Sequence, residues 1–105
     1  MLNKTILLGR LVDNPVINEE KEFGRFTLAI NGAKEEDTVF IDCIAFKNKA
    51  ISYLHKGDRI LVEGRLHTRK YTTKDGQSRT AFEVIVTTTE FVEVKNSEAV
   101  APVQE

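Results

Sequence analysis

The chain of 105 residues has one cysteine, no tryptophan and two histidines, and each scarcity removes a class of chemistry. A lone Cys43 can form neither an intrachain disulfide nor a cysteine-rich metal centre, so nothing calls for an oxidising compartment and a cytoplasmic protein is expected. His55, at the end of a short helical run, reads as a surface or capping residue and not as a ligand, and no metal and no cofactor are expected. Thr5 to Leu8, between Lys4 and Gly9-Arg10, is too short an apolar run for a secretion signal. No window approaches the apolar length of a membrane helix, and no membrane association is expected. The sequence contains no internal repeat. At this length there is room for one domain around one core, and a hydrophobic content of 41% is enough to fill it.

What is present is an uneven distribution of charge. The net charge is −1, yet residues 45–80 hold nine bases (Lys47, Lys49, Lys56, Arg59, Arg65, Arg69, Lys70, Lys74 and Arg79) against three acids (Asp58, Glu63 and Asp75). The rest of the chain is acidic. A polyanion meets the local excess, not the average.

Five runs alternate with the period of a strand: Leu2 to Leu11, Phe23 to Asn31, Thr38 to Phe46, Arg59 to Thr73 and Arg79 to Val92. Asp13-Asn14-Pro15 ends the first, and Gly32 to Asp37 forms a short polar loop after the second. Asp75-Gly76 marks a hairpin between the last two, because glycine tolerates positive φ. Only Asn48 to His55 reads as helical, with Ile51 and Leu54 three apart and Lys56-Gly57 as a stop. One short helix between the third and fourth of five strands is the order of an all-β, five-stranded OB-fold Greek-key barrel, a design whose middle strands and loops bind oligonucleotides. Residues 1–94 make up this domain, and residues 95–105, which lack either periodicity, are expected to form a short flexible tail.

The fourth strand has two chemically different faces. Ile60, Val62, Gly64, Leu66 and Thr68 share one parity; Glu63, Arg65, His67, Arg69 and Tyr71 share the other. A stripe of cations ending in an aromatic ring suits unpaired nucleic acid. In the third strand, Phe40, Asp42, Ile44 and Phe46 share one parity and Val39, Ile41, Cys43 and Ala45 the other. Either set could fill the core. If the second does, Phe40 and Phe46 are exposed on the same face as the basic stripe, and Tyr71 on a neighbouring strand favours that arrangement. Phosphates would then track Lys47, Lys49, Arg65, Arg69, Lys70, Lys74 and Arg79. Glu63 and Asp42 could be imagined as a nuclease pair, but with no histidine or second acid at ligand spacing they read as solvated or salt-bridged groups, and no enzyme is expected. Cys43 reads as a small core residue.

Asn3-Lys4-Thr5-Ile6-Leu7-Leu8-Gly9-Arg10-Leu11, Pro15, Phe40-Ile41-Asp42-Cys43-Ile44-Ala45-Phe46, Tyr53-Leu54-His55-Lys56-Gly57, Val62 to Tyr71 and Asp75-Gly76-Gln77 together resemble the bacterial single-stranded DNA-binding protein family in order and spacing, over about residues 2 to 92. The resemblance implies an OB fold that binds single strands on aromatic platforms. It also implies a homo-oligomer, with a tetramer favoured over a dimer. It places Phe40, Phe46 and Tyr71 on stacking positions and His67 and Arg69 on basic strand positions. The departures are specific. The loop from Gly32 to Asp37 lacks the tryptophan that many members carry there, Asp42 sits where members often have a neutral or basic residue, and the segment between Phe46 and Lys56 is about one helical turn shorter. The acidic tail with an aromatic tip is missing, so tail-mediated recruitment of replication proteins is not expected. The expected function is sequence-tolerant binding of single-stranded DNA in replication, recombination or repair, RNA being compatible with the same chemistry. The rival readings are an accessory OB protein resembling primosomal protein N and an OB-fold protein-interaction module.

Overall fold

Five strands close into a ring. A computed structural model of the chain describes residues 1–93, in which the strands are β1 (Thr5–Leu11), β2 (Val16–Asn18), β3 (Phe23–Ile30), β4 (Val39–Phe46), β5 (Arg59–Thr72) and β6 (Ser78–Glu93). They are hydrogen-bonded in the order β1-β5-β6-β4-β3-β2, and β1 pairs again with β3 through Arg10 and Leu11. The ring is therefore β1-β5-β6-β4-β3, an OB-type barrel made of the five strands expected from sequence. β2 is a short addition on the outer edge of β3. All pairings are antiparallel except β4 with β6. The tail expected over residues 95–105 lies outside the described residues.

The alternation in each strand sorts side chains between core and surface. Phe26 and Leu28 of β3, Cys43 and Ala45 of β4, Ile60 and Val62 of β5, and Val84 and Val86 of β6 are all buried in one cluster. On β4 the core is thus filled by the set containing Cys43 and Ala45, which leaves Phe40 and Phe46 outside. Gly64 sits at an irregularity in the β5–β6 register, where a Cβ would lie 2.1 Å from the carbonyl oxygen of Ile85. Only a residue without a side chain lets the two strands approach this closely.

The expected helix is smaller and of another kind. Lys49–Tyr53 forms a 3-10 helix, with the Asn48 side chain accepting a hydrogen bond from the Ala50 N–H. Three residues per turn bring Ile51 and Leu54 onto one line, and both are buried beneath the barrel. A second 3-10 turn, Glu35–Asp37, occupies the polar loop after β3. Asp58, fully buried, accepts the His55 N–H at 2.9 Å and fixes the turn that leads into β5.

The hairpin of β5 and β6 closes through Thr73–Gln77. The Thr73 N–H donates to the Gln77 carbonyl at 2.8 Å, the Gly76 N–H to the Thr73 carbonyl at 3.0 Å, and Gly76 has φ +88°. The Asp-Gly signal read from sequence has its cause in that left-handed glycine.

Candidate nucleic-acid interface

Residues opposite one another in a sheet project to the same side, so the register lays out one outer face strand by strand. Across β3, β4, β6 and β5, one row is Thr27, Asp42, Glu83 and His67, and the next is Arg25, Ile44, Ile85 and Arg65. Phe23 lies opposite Phe46 at one end of β4, Ala29 opposite Phe40 at the other, and Tyr71 opposite Arg79 on the hairpin. Phe40, Phe46 and Tyr71 are 63%, 53% and 43% exposed, and all three project on this face. A large apolar ring left in water on a regular strand costs hydrophobic free energy, and a binding surface gives it a use.

The sequence-predicted cations divide by position. Arg65, His67 and Arg69 lie on the face, and Arg79 stands across from Tyr71 with its guanidinium donating to the Gln77 side-chain oxygen at 3.0 Å. Lys74 is exposed in the hairpin turn. Lys47 follows β4 in a left-handed conformation, φ +53°, with its N–H donating to the Glu22 carbonyl at 2.8 Å. Lys47 and Lys49 border a cavity of about 320 Å³ lined also by Ile17, Asn18 and Phe23. Lys70 stands apart. It pairs with Thr80, one residue out of step with Arg69 and Tyr71, so it projects from the opposite side of the hairpin, the side that also bears the exposed ring of Phe82.

Three residues of this face were not picked out from sequence. Phe23 packs against Phe46 with ring centroids 6.2 Å apart, and the Arg25 guanidinium lies 5.7 Å from the Phe23 centroid. Both share the outward parity of β3, which was a usable signal. The third is Glu83, 5% exposed at the middle of the face. Its Oε1 accepts from Arg25 and from Arg69 Nε, each at 3.3 Å, and its Oε2 is 3.2 Å from His67 Nδ1. Burial alone would raise its proton affinity, but His67, Arg69 and Arg25 together outweigh that and hold the carboxyl below its ordinary range. A single acid inside the apolar run Phe82-Glu83-Val84-Ile85-Val86 was the trace of it in the sequence.

Asp42, also on this face, accepts the Thr27 hydroxyl at 2.8 Å. Cys43, one residue on, points inward, and burial, with the Asp42 charge as a smaller cause, pushes its thiol up to about 12. Among the described residues, no three His, Cys, Asp or Glu side chains are grouped so as to hold a metal ion. Nor is any helix there long and apolar enough to cross a membrane.

A model of the single-strand binding protein family matches residues 2–92. Single-stranded DNA-binding protein 2 of Staphylococcus aureus strain Mu50 is 40% identical over an alignment spanning 91% of the chain and 76% of the relative. Single-stranded DNA-binding protein 1 of the same strain is 42% identical, over 92% and 69%. Among solved structures, the Plasmodium falciparum SSB complex with ssDNA superposes with a TM-score of 0.74 at 27% identity, covering 89% of this chain and 97% of that one. The mitochondrial single-stranded DNA-binding protein of S. cerevisiae gives 0.74 at 16% identity, over 90% and 100%, a likeness of fold.

Proposed function

The chain belongs to the single-strand binding protein family, and from that premise we propose that it binds single-stranded DNA with little sequence preference, protecting it during replication, recombination or repair. The observation that carries this reading is the exposure of Phe40, Phe46 and Tyr71 on one sheet face that also bears Arg65, His67, Arg69 and Arg79. Bases stack on the rings, and every base has a π-face, which is why the binding tolerates sequence. Phosphates follow the cations around the rings, from Lys47 and Lys49 at one end to Lys74 and Arg79 on the hairpin, with Lys70 reached from its far side. Residues 1–94 are the binding unit, and no catalytic step is part of the function. The accessory-protein and interaction-module readings are not favoured, because relatives aligned along most of the chain are named for binding single-stranded DNA.

The same reading includes a homo-oligomer, a tetramer before a dimer, working in the cytoplasm on the nucleoid. Self-association is supported by β1, whose Ile6 and Leu8 are 60% and 41% exposed on the outer side of the barrel. Two large aliphatic side chains on one strand are more than a solvated surface needs.

The test is competition for a fluorescent oligo-dT followed by anisotropy. Unlabelled single strands are expected to displace the probe and a duplex of equal length to do so poorly. The log–log salt slope should be roughly −0.7 per phosphate neutralised. A duplex that competes as well as the single strand refutes the reading.

A further inference from the structure

One carboxylate holds both ends of the stacking surface. We infer that Glu83 is a positioning residue that ties Arg25 and Arg69 against the rings of Phe23 and Tyr71, so that these two arginines back the stacking platforms and do not serve as phosphate contacts. This rests on the proposed binding of single-stranded DNA and gives Arg69 a part different from the one expected from sequence.

The geometry is specific. Arg25 comes from β3 and Arg69 from β5, strands that are not neighbours, yet both reach the same Oε1 of Glu83 at 3.3 Å. Each guanidinium carbon then lies 5.7 Å from the centroid of a ring two residues away on its own strand, Arg25 by Phe23 and Arg69 by Tyr71. Phe23 in turn touches Phe46. A planar guanidinium can satisfy a carboxylate at its edge and a ring at its face together, which a lysine cannot. The Glu83 side chain is 6% exposed, while those of Arg25 and Arg69 are 43% and 45% exposed. The acid therefore lies beneath the arginines, where it orders them and offsets part of their charge.

An acid at the centre of a surface for a polyanion is a cost if the surface works by charge alone. It is a gain if the surface works by stacking, because rings and backing groups fixed in advance lose less freedom on binding.

The test uses Glu83→Gln, which keeps the shape and removes the charge, and oligo-dT binding measured from low to high salt. Loss of the clamp should free the arginines for phosphate and steepen the salt slope by roughly 0.7 per arginine. At high salt, where stacking dominates, binding should weaken roughly three- to tenfold. Tighter binding at every salt concentration would make Glu83 a mere repulsive charge and overturn the inference, as would no change in either quantity. Arg25→Gln, at a half-exposed position that leaves the core intact, is expected to weaken binding with the slope unchanged; a slope shallower by one phosphate overturns the inference. The clamp is also read without DNA. The Arg69 Nε–H NMR signal should be resolved in the wild type and broadened by exchange in Glu83→Gln, and identical signals in the two overturn the clamp. A wild-type chain that binds no oligo-dT while showing that NMR difference overturns the proposed function and leaves the clamp supported.

Discussion

Replacing Phe40 by alanine separates a stacking ring from a core ring. Truncating a fully buried phenylalanine costs about 3–5 kcal/mol. Phe40 is 63% exposed and lies opposite the small Ala29 in the β3–β4 pair, so little more than a third of that loss applies, roughly 1–2 kcal/mol of stability. A base stacked on the ring contributes about 1–3 kcal/mol, which corresponds to a loss of roughly five- to 150-fold in oligo-dT affinity. Urea denaturation followed by circular dichroism gives the first quantity, and anisotropy at a temperature where the variant is fully folded gives the second. The expected result is a small shift in midpoint with a large fall in affinity. A loss of 3 kcal/mol or more in stability with the affinity of the folded fraction unchanged would refute the reasoning and return Phe40 to the core.

Gly64→Ala should act in the opposite way, because its Cβ would meet the Ile85 carbonyl at 2.1 Å. A loss of about 3 kcal/mol is expected in urea, with binding by the folded fraction preserved; a neutral effect on stability would contradict the close approach. Cys43 should resist thiol reagents in the folded protein at pH 8 and react on unfolding, since burial pushes its thiol up to about 12 from an ordinary 9.0. The linked stability is present below pH 9 and is lost as pH rises from 9 toward 12, where only the unfolded thiol ionises. Relative to Cys43→Ala the wild type should therefore weaken across that range, and parallel profiles would contradict the burial. Asp42→Asn keeps an acceptor for the Thr27 hydroxyl and removes a charge from the binding face. It should tighten oligo-dT binding several-fold at low salt and less at high salt, and an unchanged affinity would place Asp42 off the DNA path.

The barrel was legible because its five strands each alternate with one apolar parity or end in turn chemistry that names itself, as Asp75-Gly76 does. β4 was the exception. Ile44 is buried although it projects outward, between Arg25 and Ile85 in register, so both parities of that strand look like core until the neighbours are known. β2 was missed because three residues, Val16–Asn18, are too few to show a period. The short helix was seen at its place but not in its kind, since an apolar pair three apart fits an α turn and a 3-10 turn alike. That the rings and several of the cations share one sheet face followed from parity, whereas Lys70 was counted with its neighbours although a period of two turns it away from them. Glu83 stood out only as a lone acid in an apolar run, and its part could not be read from that. Its partners lie 58, 16 and 14 residues away in sequence, and only the closed barrel brings β3 and β5 to one carboxylate.

The absence of tryptophan and the presence of two tyrosines make the central claim directly measurable. In Tyr53→Phe, Tyr71 is the sole tyrosine, and its emission reports on one ring of the binding face. Titration with oligo-dT should quench that emission to saturation, with an affinity that falls as salt is raised, while a duplex of the same length quenches weakly. Saturable binding of oligo-dT by anisotropy with Tyr71 emission unaltered would contradict the account, because the strand would then be held somewhere other than on the rings of this face.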